Sequence, residues 1–302
     1  DYELNEIFYK DLDLRKPDFF LNVDVSSLEA SVGDIIRKSG ELLRREKPDA
    51  LLVLGDTNSC LSAYMAKRLH IPIFHMEAGN RCFDFNVPEE INRRVIDHIA
   101  DFNLVYTEHA RRHLISEGLP HRRVYLTGSP MYEVLSYYKP KIDSSEILNT
   151  LGLQKGRYFV VSAHREENVD NPDNLTKILL ILNRLAEDYQ IPVIVSTHPR
   201  TRKRLEAIDK LKIDTHVQFL KPFGFTDYVH LQMNALCTVS DSGTISEESA
   251  ILNFPAISLR NSMERPEAQD AGTIILTGFD PIFVMNSIAL AISEEKNKRQ
   301  VQ

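Results

Sequence analysis

The sequence predicts an α/β protein of two doubly wound, Rossmann-like domains facing each other across a cleft, with the opening strand unit of the first domain missing. Three observations predict this fold. Short β-branched apolar runs alternate with helically spaced segments, which is the signature of parallel strands joined by crossover helices. The alternation restarts after a polar passage near residue 140. At 302 residues the chain also exceeds the usual single-domain size.

The chain opens on ELNEIFYKDL, an amphipathic helical segment with no strand or glycine-rich turn before it, so the first sheet is expected to lack its first strand. Strands then fit ALLVL (50–54), IPIFHM (71–76), NLVYT (103–107) and RVYLT (123–127). Helices fit 28–46, 58–69, 88–100, 108–117 and 130–138. The passage YYKPKIDSS (137–145) turns charged, and Pro140 breaks the helical period, which sets domains at 1–142 and 143–302. The second domain repeats the pattern with strands at 157–163, 191–197, 216–220, 235–240 and 255–259. Its helices fit 172–189, 200–211, 225–233, 244–253 and 281–296.

Composition narrows the function. With 43% hydrophobic and 26% charged residues the chain has material for two cores. A formal net charge of −7 argues against a nucleic-acid-binding surface, so an anionic ligand must be held by a local site. No run is long and apolar enough to cross a membrane, and the N-terminus lacks the pattern of a signal peptide, which points to a cytoplasmic protein. Cys60, Cys82 and Cys237 lie far apart with no C-x-x-C pair and read as packing thiols. No H-E-x-x-H or cysteine spacing supports a metal site.

In open parallel sheets ligands bind beyond the carboxyl ends of the strands. The residues there are GDT, EAGNR, TGS, HREEN, THPR, SDSG and LRNSMERPE, rich in groups that bind anions or titrate. DSGTISEE (241–248) reads as a helix start whose free N–H groups, Ser242 hydroxyl and tight turn at Gly243 suit a phosphate, with Thr244 and Glu247 at capping-box spacing. Glu248 is placed to accept ribose hydroxyls. A well-capped helix with acidic residues in its first turn gives the same pattern. Asp56 and Glu77 end consecutive strands, and Glu77, flanked by Met76 and Ala78, suits acid–base work. Glu89 and Glu90 follow Pro88 at a helix start, where the helix dipole alone accounts for acids. His164 with Arg165, and His198 with Arg200, offer proton transfer and phosphate clamping at two strand ends. Arg260 and Arg265 lie on a polar loop within reach of a phosphate. Neither a Walker loop nor G-x-G-x-x-G is present.

Taken together, GDT (55–57), HMEAGNR (75–81), VPEEINRR (87–94), HREEN (164–168), DSGTISEE and ERPEA (264–268) resemble the non-hydrolysing UDP-N-acetylglucosamine 2-epimerases, which share the fold of the B-type glycosyltransferases. The resemblance implies inversion at carbon 2 of a UDP-linked N-acetylhexosamine without an added cofactor, through elimination of UDP and its re-addition. It implies Asp56, Glu77, Glu89 and His164 as the acid–base set. Ser242, Gly243, Thr244 and Glu248 would hold pyrophosphate and ribose, with Arg81, Arg165, His198 and Arg265 as further contacts to the UDP-sugar. The short loop RCFDFNV is similar to that of the capsule and O-antigen branch, which converts UDP-2-acetamido-2,6-dideoxy-L-talose to UDP-N-acetyl-L-fucosamine. Conversion of UDP-N-acetylglucosamine to UDP-N-acetylmannosamine is the nearest rival, and a retaining glycosyltransferase or a silent nucleotide-sugar-binding protein are rivals of other classes. The resemblance also implies a homodimer.

Overall fold

Both sheets of the computed structural model are wholly parallel, as the alternation predicts. The structure describes residues 6–164, 170–198, 201–202, 204, 212–260 and 274–300. They fall into two compact units. One is carried by Pro17–Pro130, the other by the described residues of Asp1–Lys16, Met131–Ser262 and Ala268–Gln302.

In the first unit β1 (Leu51–Leu54), β2 (Ile73–Met76), β3 (Phe102–Val105) and β4 (Val124–Leu126) lie in that order. Val53, Ile73 and Val105 are buried, the first two in a core with Ala63, Ala66 and Ile96 from the crossover helices Ser62–Arg68 and Pro88–Ile99. On the opposite face Leu52 and Leu54 are 61% and 64% exposed, and Leu52 leads across the sheet to the stacked rings of Phe74 and Phe102. Side chains two apart share a face, so the helix-packed and open faces separate cleanly. Helix starts carry their expected caps: Ser27 accepts from Ala30 N–H and Thr107 from Ala110 N–H. After β2 the chain passes so close to the helix Glu108–Ser116 that a Cβ on Gly79, at φ +81°, would lie 2.4 Å from Ala110 O.

The second unit holds β5 (Phe159–Ser162), β6 (Val193–Ser196), β7 (Val217–Leu220), β8 (Cys237–Ser240), β9 (Ala256–Ser258) and β10 (Ile275–Leu276), in the order β10-β9-β8-β5-β6-β7. Alternate residues pack on opposite faces. Phe159, Val161, Val193 and Val239 meet Leu182, Leu185 and Ile288 of the helices Pro172–Tyr189 and Pro281–Gln300, while Val160 and Ile194 meet Leu231. Burial on both faces explains why these strands read as unbroken apolar runs. Each such side chain contributes about 1.5–3 kcal/mol.

Two expectations change. The helix Met131–Asp143 runs through Pro140 instead of stopping at 138. Proline removes one backbone donor, but Ile142 is fully buried with Leu135 and Val229, and that packing carries the helix another turn. The two-residue β10 was not expected, because so short a run has no readable period. The helix expected at 200–211 falls largely outside the described residues. Among the described residues no helix is long and apolar enough to cross a membrane.

Candidate active site

Sites form where the sheets end, and each unit contributes its own cluster. In the first unit β1 and β2 are neighbours, so Asp56 and Glu77 lie beyond adjacent strand ends. Glu77 holds a left-handed backbone, φ +67°, and accepts from Asn80 Nδ2 at 3.3 Å. A glutamate in that region carries strain of about 1–2 kcal/mol, of the kind that gathers at functional positions. Asp56 Oδ2 accepts from Arg93 Nε at 2.8 Å. Glu89 stands half-buried in the first turn of Pro88–Ile99.

Its neighbours depart from expectation. Glu90 reads in the sequence as a helix-start acid favoured by the dipole, yet it is fully buried, and Arg93 beside it is 4% exposed. Glu90 accepts from Cys82 N–H at 3.0 Å, from Arg94 at 2.9 Å and from Arg93 at 3.2 Å. Burial works to raise its pKa, but the Cys82 and Arg94 hydrogen bonds and the Arg93 charge together hold it below the usual carboxylate value. Arg81, expected as an anion ligand, is 1% exposed. It donates to Glu117 through Nε and Nη2 at 2.8 and 2.6 Å, and through Nη1 to Asp97 and Asn80 O, both at 2.7 Å. Every guanidinium nitrogen is committed to a protein acceptor, so Arg81 orders the turn after β2 instead of presenting a charge to solvent.

The second unit has a cavity of about 350 Å³ at the carboxyl ends of β5, β6 and β8. It sits where the strand order reverses between β5 and β8, the expected ligand position in a doubly wound sheet. The structure brings His164, His198, Ser242, Thr244 and Glu248 together on its wall, with Phe8, Phe223, Phe225 and Tyr228 as an aromatic side. The helix Ile245–Leu252 begins there. The expected capping box does not form. Thr244 makes no side-chain cap; its hydroxyl donates to Glu248 Oε1 at 2.7 Å and lies 3.0 Å from Ser242 Oγ. Glu248 Oε2 accepts from Gln232 Nε2 at 3.0 Å. Burial raises the Glu248 pKa, the Thr244 and Gln232 hydrogen bonds oppose the rise, and the Glu247 charge adds to it. A smaller cavity of about 100 Å³ near Lys155, Asn234 and Pro255 carries no such cluster.

Sequence reasoning missed several residues that support this wall. Asp11 accepts from Thr226 N–H and Oγ1, both at 2.7 Å, and so caps the helix Phe225–Asn234 from 215 residues away. A Cβ on Gly224 would lie 2.9 Å from that carboxylate. Tyr228 places a buried hydroxyl on the wall. No local signal announces Asp11 or Gln232; Asp241 could have been singled out from its place directly after β8. Arg165 and Arg265 lie outside the described residues.

A helix start flanked by hydroxyls suits a phosphate, a buried carboxylate suits a diol, and an aromatic side suits a flat base. A family model described as UDP-N-acetylglucosamine 2-epimerase matches residues 1–302. The chain belongs to the UDP-N-acetylglucosamine 2-epimerase family. It is similar to the UDP-N-acetylglucosamine 2-epimerase of Methanococcus maripaludis, 33% identical over 301 residues that cover 97% of this chain and 82% of the relative. It is similar in structure to the UDP-N-acetylglucosamine 2-epimerase of Rickettsia bellii, at 51% identity and a TM-score of 0.90, covering 97% of this chain and 77% of that one. A Methanocaldococcus jannaschii UDP-GlcNAc 2-epimerase, solved in complex with UDP-GlcNAc and UDP, is 33% identical with a TM-score of 0.90 and 97% and 82% coverage. The chain is thus a non-hydrolysing UDP-N-acetylhexosamine 2-epimerase, an isomerase of UDP-sugar biosynthesis on a Rossmann-like fold.

Proposed function

We propose that this epimerase interconverts UDP-2-acetamido-2,6-dideoxy-L-talose and UDP-N-acetyl-L-fucosamine in the cytoplasm, as a homodimer, in capsule or O-antigen synthesis. A base removes the carbon 2 proton, the bond from carbon 1 to the UDP oxygen breaks with its electron pair leaving on UDP, and a 2-acetamido-glycal forms. Protonation of carbon 2 from the other face and return of the UDP oxygen to carbon 1 complete the inversion. Asp56, Glu77, Glu89 and His164 supply the acid–base groups, since two epimers need proton transfer on opposite faces. Ser242, Gly243, Thr244 and the helix start behind them hold the pyrophosphate and stabilise the departing UDP. Glu248 accepts the ribose hydroxyls, and His198, Arg165 and Arg265 contribute further contacts to the UDP-sugar.

The observation that carries the substrate choice is the loop between Arg81 and Pro88. Phe83 and Phe85 are 65% and 64% exposed on it, with the Arg94 guanidinium over both rings. An apolar surface on the loop that leads into Glu89 suits a methyl at carbon 6. The second reading is UDP-N-acetylglucosamine to UDP-N-acetylmannosamine, supported by the 51% identity to the Rickettsia bellii protein. Incubation with each UDP-sugar in deuterium oxide decides between them. Deuterium at carbon 2 of the 6-deoxy sugar alone supports the proposal, whereas exchange with UDP-N-acetylglucosamine alone overturns it. Sedimentation of the protein at micromolar concentration tests the dimer.

A further inference from the structure

His164 follows β5 and Asp241 follows β8, the two strands between which the order of the second sheet reverses. The Asp241 side chain is fully buried, and its backbone N–H donates to Ser162 O at 3.0 Å, which ties it to the end of β5. Its carboxylate receives the His164 backbone N–H at 3.2 and 3.0 Å, and His164 Nδ1 lies 3.1 Å from Asp241 Oδ1. One carboxylate thus receives the main chain of His164 and lies beside its ring, while the ring lines the cavity with 43% of the side chain exposed.

We infer that Asp241 is the positioning residue of His164, fixing its ring with Nδ1 toward the buried carboxylate and Nε2 turned to the cavity as the nitrogen that exchanges a proton with the substrate. A carboxylate is an acceptor only, so Nδ1 must carry hydrogen and, in the neutral ring, Nε2 must present its lone pair. An asparagine would keep the backbone acceptor but offer N–H to Nδ1, reversing the tautomer without emptying the site. A purely structural Asp241 would hold the β5 turn and leave the tautomer indifferent. The inference rests on the epimerase reading of His164, but its first readout does not.

The test is nitrogen NMR of histidine-labelled protein at mildly alkaline pH, with the His164 signals assigned by loss in His164→Gln. The unsubstituted protein is expected to show the Nδ1–H tautomer at His164 and Asp241→Asn the Nε2–H tautomer. Carbon 2 exchange in Asp241→Asn is expected to fall on the order of 100-fold in kcat with KM little changed. An Nε2–H tautomer in the unsubstituted protein overturns the inference even if Asp241→Asn does not fold, as does a variant with unchanged tautomer or unchanged kcat. Absence of exchange in the unsubstituted protein with every UDP-sugar would count instead against the epimerase reading, and the tautomer would still decide the role of Asp241.

Discussion

Arg93 Nε donates to Asp56 Oδ2 at 2.8 Å while its Nη1 reaches the buried Glu90 at 3.2 Å, so one guanidinium links a proposed catalytic carboxylate to a structural one. Removing the arginine leaves the buried Glu90 with Arg94 but without the Arg93 charge. Arg93→Met is expected to cost about 3 kcal/mol of folding stability, read from the midpoint of urea unfolding.

Asp56 itself is less committed, with 21% of its side chain exposed. Asp56→Asn keeps an acceptor for Arg93, so stability should change by no more than about 1 kcal/mol while carbon 2 exchange falls by about 10²- to 10⁴-fold. A variant that unfolds as readily as Arg93→Met would assign Asp56 a structural role instead.

Glu77 stores strain that glycine would not. Glu77→Gly should leave stability unchanged or raise it by up to about 1 kcal/mol, the loss of the Asn80 hydrogen bond offsetting part of the relief, and should abolish exchange. UDP binding by calorimetry should survive, because the cavity around Glu248 is built from the other unit.

For Glu248 the sign runs against charge. Its pKa is raised on folding, so the native state holds the proton more readily than the unfolded chain, and stability declines as pH rises from the ordinary value of 4.5 through the raised one. Glu248→Gln should therefore raise the thermal midpoint at neutral pH. The same change should weaken UDP binding by about 1.5–3 kcal/mol, roughly 10- to 150-fold, and the unsubstituted protein should lose UDP affinity on mild acidification.

Glu117 and Glu90 behave oppositely. In both, burial works upward, and the hydrogen bonds and neighbouring arginine charges more than reverse it, so their folded pKa values lie below 4.5. The stability they supply is complete above that value and disappears as pH falls through the lowered one. Arg81→Lys loses the forked contact with Glu117 and should cost about 2–4 kcal/mol near neutrality, with a shallower acid limb in a stability-against-pH profile.

Much of this architecture is legible in the sequence. Among the described residues nine of the ten strands lie within the apolar runs or one residue from them, because period and β-branching are local properties, and β10 escaped only because two residues have no period. The rule that ligands gather beyond strand ends selects His164, His198, Ser242, Thr244 and Glu248 from the sequence, and the structure brings these five to one cavity. The rule does not say which charges turn inward. Arg81 and Glu90 looked like ligands and solvated acids because sequence shows a charge but not its burial.

By itself, then, the sequence determined the α/β class, the parallel strands and the family motifs. Those follow from side-chain period and from short stretches whose chemistry is carried by neighbours in the chain. Only the tertiary structure decided what the charges do. Arg81 finds Asp97 and Glu117 at 16 and 36 residues' distance, Thr226 finds Asp11 at 215, and His164 finds Asp241 at 77. Whether a carboxylate is a base, a clamp or a buried counter-ion depends on desolvation and on partners that only folding brings within 3 Å.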